Sequence, residues 1–137
     1  MSSTRIPLLA FALLLSHVSF AQGAEAYVDH WDAKKTIKKS EGLLVNGREW
    51  GEWKFYDPQG HLQEQADFKS GERDGHVRIY YDNAQLQHDG WMKRGVQDSV
   101  ITSYYPNGKV MEQGAYKKGV KEGAWNYFYS DGRPMLK

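Results

Sequence analysis

From residue 41 onward, hydrophobic and polar positions return in one register every 24 residues. Trp53, Val77, Ile101 and Trp125 share one column, and Tyr56, Tyr80, Tyr104 and Phe128 share another. Leu62, Leu86 and Val110 keep the same beat, as do Phe68, Met92 and Tyr116. So do the glycine columns: Gly47, Gly71, Gly95 and Gly119; Gly51, Gly75, Ser99 and Gly123; Gly60, Ala84, Gly108 and Gly132. A fixed period of this length is the signature of a repeat architecture, in which each unit buries its apolar face only by stacking on its neighbours.

Inside a unit the alternation has period two, which puts Trp53 and Phe55 on one face and Lys54 and Tyr56 on the other. The short aromatic runs stop at turn sequences such as Asp57-Pro58-Gln59-Gly60, Pro106-Asn107-Gly108, Ser130-Asp131-Gly132 and Lys117-Lys118-Gly119. Each unit therefore reads as two strands and two turns. The fold class that follows is all-β, an elongated antiparallel sheet of stacked β-hairpin repeats. Glu41–Val45 is a partial unit at its start, and only residues 32–39 carry a trace of helical period. Stacking of equivalent positions predicts a ring ladder through Tyr56, Tyr80, Tyr104 and Phe128, and a Glu64–His88–Glu112 ladder beside it. Ala84 and Ser99 replace glycine, so the second and third units are expected to bend differently there.

The start of the chain has another character. Arg5 precedes an apolar run from Ile6 to Leu15, and small residues around Ser19-Phe20-Ala21 follow. This is the order of a secretory signal peptide, and the run falls short of the roughly 20 residues that a membrane span needs. The organisation expected is a cleaved signal peptide over 1–21, a lead segment over 22–40 and the repeat domain over 41–137. The destination expected is the periplasm, as a soluble protein.

Removal of residues 1–21 takes away Arg5 alone among the charged side chains. Lys plus Arg falls from 18 to 17 and matches the 17 Asp plus Glu. A chain so balanced has no overall field to draw nucleic acid, which argues against a nucleic-acid partner. The absence of cysteine removes disulfides, thiolate metal sites, cysteine nucleophiles and a lipidated N-terminus. With 14% aromatic residues the chain is too rich in rings for a disordered one.

Little in the sequence points to chemistry. His30, His61, His76 and His88 form no HExxH or other close ligand pair, and neither a Gly-x-Ser-x-Gly elbow nor a phosphate loop occurs. The expectation is no enzyme, no catalytic residue, no metal and no cofactor. The cluster Lys34, Lys35, Lys38 and Lys39 is a solvated face or a point of contact with an anionic membrane surface.

The run Asn107-Gly108-Lys109-Val110-Met111-Glu112-Gln113-Gly114-Ala115-Tyr116-Lys117-Lys118-Gly119-Val120-Lys121-Glu122-Gly123-Ala124-Trp125 resembles the bacterial MORN-repeat variant family. Units of that family carry a Gly-x-x-x-Gly, an aromatic pair, an Asn-Gly turn and a closing Gly. The resemblance covers residues 41–137. It implies an antitoxin-like or immunity role, with a secreted toxin as partner, a lipid-degrading phospholipase-type enzyme among the candidates. The alternative it implies is an envelope adaptor at a membrane or lipid surface.

In such a scaffold, departures from the repeat are the positions free to serve a partner. Trp50 is the one aromatic residue in a column that otherwise reads Asp74, Asp98 and Glu122, and Trp91 stands between Asp67 and Ala115. Trp31 lies outside the repeats. Because Trp and Arg dominate interface hot spots, the candidate partner-binding set is Trp50, Trp91 and Trp31, with Arg73, Arg78 and Arg94.

Overall fold

The computed structural model describes residues 23–136, so the expected signal peptide lies outside the described residues. Among the described residues, nine antiparallel strands form one open sheet in sequence order: β1 (Ala24–His30), β2 (Lys38–Val45), β3 (Arg48–Tyr56), β4 (Leu62–Lys69), β5 (Glu72–Tyr80), β6 (Leu86–Lys93), β7 (Val96–Tyr104), β8 (Val110–Lys117) and β9 (Val120–Tyr127). The all-β reading therefore holds. The trace of helical period over 32–39 does not: the Asp32 carboxylate accepts from the N–H groups of Thr36 and Ile37 and closes a turn between β1 and β2. The sheet also begins ahead of residue 41, because β1 pairs with β2 from Ala24 to His30.

Two kinds of turn alternate. At one end of the sheet, two-residue tips join β2 to β3, β4 to β5, β6 to β7 and β8 to β9. Both residues of each tip, from Asn46-Gly47 to Lys118-Gly119, have positive φ, as the hairpin turn of matching twist demands. At the other end, longer turns close with a bond from the N–H of Gly60, Ala84, Gly108 or Gly132 to the carbonyl three residues back. These turns are also tied to one another. Tyr81 Oη donates to the Tyr104 carbonyl and Tyr105 Oη to that of Phe128, while Asn83 and Asn107 reach the carbonyls of Pro106 and Ser130.

Ala84 and Ser99 do not bend their units differently. Their φ values of 65° and 63° match the left-handed geometry of Gly60 at 89° and Gly51 at 70°, so the repeat geometry overrides the steric preference of a Cβ.

The core centres on a row across the aromatic face, with Phe68 buried beside it. Cross-strand pairs place Trp53, Ala66, Val77, Gly90, Ile101 and Gly114 side by side, and Trp125 completes the row over Gly114. Large and small residues alternate, so each large side chain lies flat on the small residue of the preceding strand. A Cβ on Gly42 would meet the Trp53 ring at 2.4 Å, and one on Gly114 would meet the Trp125 ring at 2.3 Å. This layout buries Trp53, Val77, Ile101 and Trp125 to 5% exposure or less without a second layer.

Neither expected ladder forms as drawn. Tyr56 and Tyr80 extend over the opposite, polar face, where their hydroxyls donate to Glu41 and Gln65. Burial and the Glu41 carboxylate push the Tyr56 phenol well above its ordinary pKa. Ile79 separates Glu64 from His88, and Ser103 stands between His88 and Glu112, hydrogen-bonded to both at 3.4 Å. Residues one period apart lie two strands apart, so an intervening strand always supplies the actual neighbour.

Burial lowers the pKa of His88, against the pull of Asp89 and Glu112. The fold thus disfavours the imidazolium. Its stability is complete above the ordinary histidine value of about 6.5 and declines as the pH falls through it. Thermal melts at about pH 7.5 and about pH 5.5 should show a larger fall in Tm for the wild type than for His88→Gln. Equal falls would remove His88 as the source of acid sensitivity.

Candidate functional site

The two faces are built from different chemistry. On the aromatic face, Trp53 contacts Tyr27, Phe55 and Phe68 at centroid distances of 5.6, 6.1 and 6.2 Å. Arg73 lies over Phe68 and Phe55, at 5.1 and 5.9 Å, and forks onto both oxygens of Glu64 at 2.6 and 2.9 Å. The Glu64 carboxylate holds the guanidinium pKa above its ordinary value against the cost of burial. Lys121 repeats the arrangement two units on, 3.8 Å above the Trp125 ring and 3.5 Å from Glu112. Both cations are committed to roofing the aromatic residues.

The centre of the polar face is different. His76 and Trp91 are cross-strand partners on β5 and β6, and their rings stack at 4.9 Å with planes 9° apart. The His76 backbone N–H donates to Asp67, and its Nε2 is hydrogen-bonded to Asp89. Asp89 thus holds the imidazole and Asp67 ties the backbone that carries it, and the indole lies flat on the ring. Trp91 nonetheless leaves half its surface open, at 50%. Val100 on the next strand, directly after the left-handed Ser99, is 55% exposed. Asp98 pairs with Trp91 in register, and Arg78 pairs with Asp89. The result is a small apolar platform with a polar margin, on a sheet face that no described element covers.

The six sequence candidates do not form one surface. Trp50, Trp91 and Arg78 share the polar face, and Trp50 is half-buried beside its partner Leu43. Arg73 occupies the opposite face and roofs its aromatic residues. Arg94 sits at the β6–β7 tip. Trp31 lies in the β1–β2 loop, donating from its indole N–H to the Tyr56 carbonyl at 2.9 Å, with Lys39 5.2 Å from its ring. That bond serves the first turn as the tyrosine hydroxyls serve the later ones, so Trp31 has a scaffold task. The column signal did not reveal His76 or Val100, since their prominence depends on cross-strand register.

The basic cluster is partly neutralised: Lys38 contacts Glu41 at 2.7 Å and Lys39 contacts Asp29 at 3.3 Å. Among the described residues, no group of three or more His, Asp or Glu side chains is placed to hold a metal ion.

No curated protein matches the chain. The sequence model of the MORN repeat variant matches residues 51–70 and 97–118. The two matches end at Ser70 and Lys118, two periods apart, and each covers one hairpin of the same phase: β3 with β4, and β7 with β8. The hairpin that the 24-residue spacing repeats along the sheet is thus the unit that the MORN repeat variant model matches at two places.

Proposed function

We propose that this repeat module binds another protein through the polar face around Trp91, and that its partner is a secreted toxin which it neutralises in the periplasm by covering the toxin's active site. The observation that carries the binding reading is the half-exposed Trp91 ring lying flat on His76. Interface hot spots are aromatic anchors of this kind, rigid before binding and ringed by polar groups. The apolar run after Arg5 supports export, and the resemblance to immunity-like repeats supports the toxin. A lipid-degrading enzyme is a partner reachable from that compartment.

The test is direct binding. The chain from residue 22 onward, titrated into a toxin encoded beside it, should bind one-to-one and abolish toxin activity at equimolar ratio, with no turnover of the inhibitor. A calorimetric titration without heat, or an unaffected toxin, would end the immunity reading. Sedimentation with vesicles in the same experiment addresses the envelope-adaptor alternative, which requires the free protein to pellet with lipid.

A further inference from the structure

The short-tip end of the sheet is basic. The four short tips, residues 45–48, 69–72, 93–96 and 117–120, hold Arg48, Lys69, Lys93, Arg94, Lys117 and Lys118 against one carboxylate, Glu72. All six cations are exposed. At the far end the turns 57–60, 81–84, 105–108 and 129–132 hold Asp57, Asp82 and Asp131, and these are balanced by Lys34 and Lys35 of the β1–β2 loop and by Lys109 and Arg133 beside the last turns. Near-neutral overall charge thus conceals one basic edge.

The backbone at two of the basic tips adds a second observation. Arg94 and Lys118 have φ of 50° and 52°, in the left-handed region that disfavours a long side chain. The first tip shows the relaxed solution, with Asn46 at φ 52°. Asp74 and Asp98 reach the N–H groups of Arg94 and Lys118 at 3.3 and 3.4 Å, steadying the strained residues from behind. Among the described residues, the side chains of Lys93, Arg94 and Lys118 have no carboxylate within ion-pair distance, whereas Lys117 has Glu122 at 3.8 Å. Val96 and Val120 stand beside them, 45% and 69% exposed.

Tips on alternate hairpins are two strands apart, about 9.6 Å, so the four span about 29 Å along a line. Carboxylates seven residues apart on an α-helix are about 10.5 Å apart. We propose that this comb of cationic tips docks the acidic face of an α-helix of a protein partner, with Arg94 and Lys118 meeting carboxylates one heptad apart and the two valines touching the helix between them. The two turns set the Cα atoms of these cations at a regular spacing, which serves a partner whose charges are also regularly spaced. A fluid anionic bilayer needs no such placement, and it favours Trp and Tyr anchors, none of which stands in the four tips. The proposal does not depend on what binds at Trp91.

The probes are a helical peptide about three heptads long with one Glu per heptad, a peptide of the same composition with the Glu residues scattered around the helix, and vesicles containing phosphatidylglycerol. The heptad peptide should bind the full chain about tenfold more tightly than the scattered one, and less tightly as salt is added. The double variant R94N/K118N should lose about fivefold in affinity for the heptad peptide while its Tm rises, since Asn accepts the left-handed backbone. A gain in stability coupled to a loss in binding is not what a purely structural role would give. Equal binding of the two peptides, or undiminished binding by R94N/K118N, would overturn the proposal. Binding to vesicles that R94N/K118N abolishes, with neither peptide bound, would overturn it in favour of a lipid surface.

Discussion

Trp53→Ala is expected to destabilise the protein by about 3–5 kcal/mol, the range for removing a buried aromatic side chain. Trp53 is 3% exposed, lies on Gly42, contacts three rings, and donates its indole N–H to the Leu43 carbonyl at 3.1 Å. The loss alone would not show that the alternating row is what stabilises the sheet. Gly42→Ala supplies the discriminating measurement. In the wild type its Cβ would stand 2.4 Å from the Trp53 ring, an overpacking worth about 1–3 kcal/mol. With Trp53 already Ala, the same methyl enters vacated space, and the substitution should be close to neutral. Urea unfolding of the two single variants and the double variant should therefore give a coupling of about 1 kcal/mol or more. If the two losses simply add, the small residues of the row are not seats for the large ones.

The second large effect concerns binding. Trp91→Ala should weaken the complex with the protein partner by about 30-fold, the level at which a side chain counts as a hot spot. It should cost the isolated fold about 1 kcal/mol or less, because the ring is half open and its main contact is one imidazole. Trp50→Ala on the same face should have a smaller effect on binding, since Trp50 is half-buried against the sheet. Calorimetric titration and thermal melts on the same preparations separate the two quantities. A dissociation constant unchanged in Trp91→Ala would move the interface away from the centre of the polar face.

The 24-residue period made most of the fold legible. It identified the strands, the turns and the opposition of Trp53 and Phe55 to Lys54 and Tyr56, because strand alternation is strict wherever a face is packed. It did not reveal which columns touch. Translation by one period crosses two strands, so Glu64, His88 and Glu112 are separated by Ile79 and Ser103, and the tyrosine rings are separated likewise. Columns 42, 66, 90, 114 and 53, 77, 101, 125 form the core only through register that pairs Val77 with Gly90, Ile101 with Gly114 and Trp53 with Ala66. Among the candidate site residues, departure from the repeat identified Trp91. It also selected Trp50, which is half-buried beside Leu43, while residue type selected Arg73 and Trp31, whose side chains are occupied by Glu64 and by the Tyr56 carbonyl. A rare residue in a column marks a changed environment, and that change is as often internal as external. His76 and Val100 went unnoticed because neither stands out without its cross-strand neighbours.

The ties between the longer turns have a consequence for how the molecule comes apart. Tyr81 and Asn83 hold the turn that follows them, and Tyr105 and Asn107 hold the next. Gln63 links the first turn to the second by donating to both Asp57 and Asp82, so the β5–β6 and β7–β8 hairpins cannot swing out on their own, each turn being tied to the turn on either side. Opening therefore proceeds as an unzipping from the β1 and β9 edges inward. Amide hydrogen exchange should be slowest in β5 and β6 and graded toward both termini, and the turns of the inner units should exchange nearly as slowly as the strands they join.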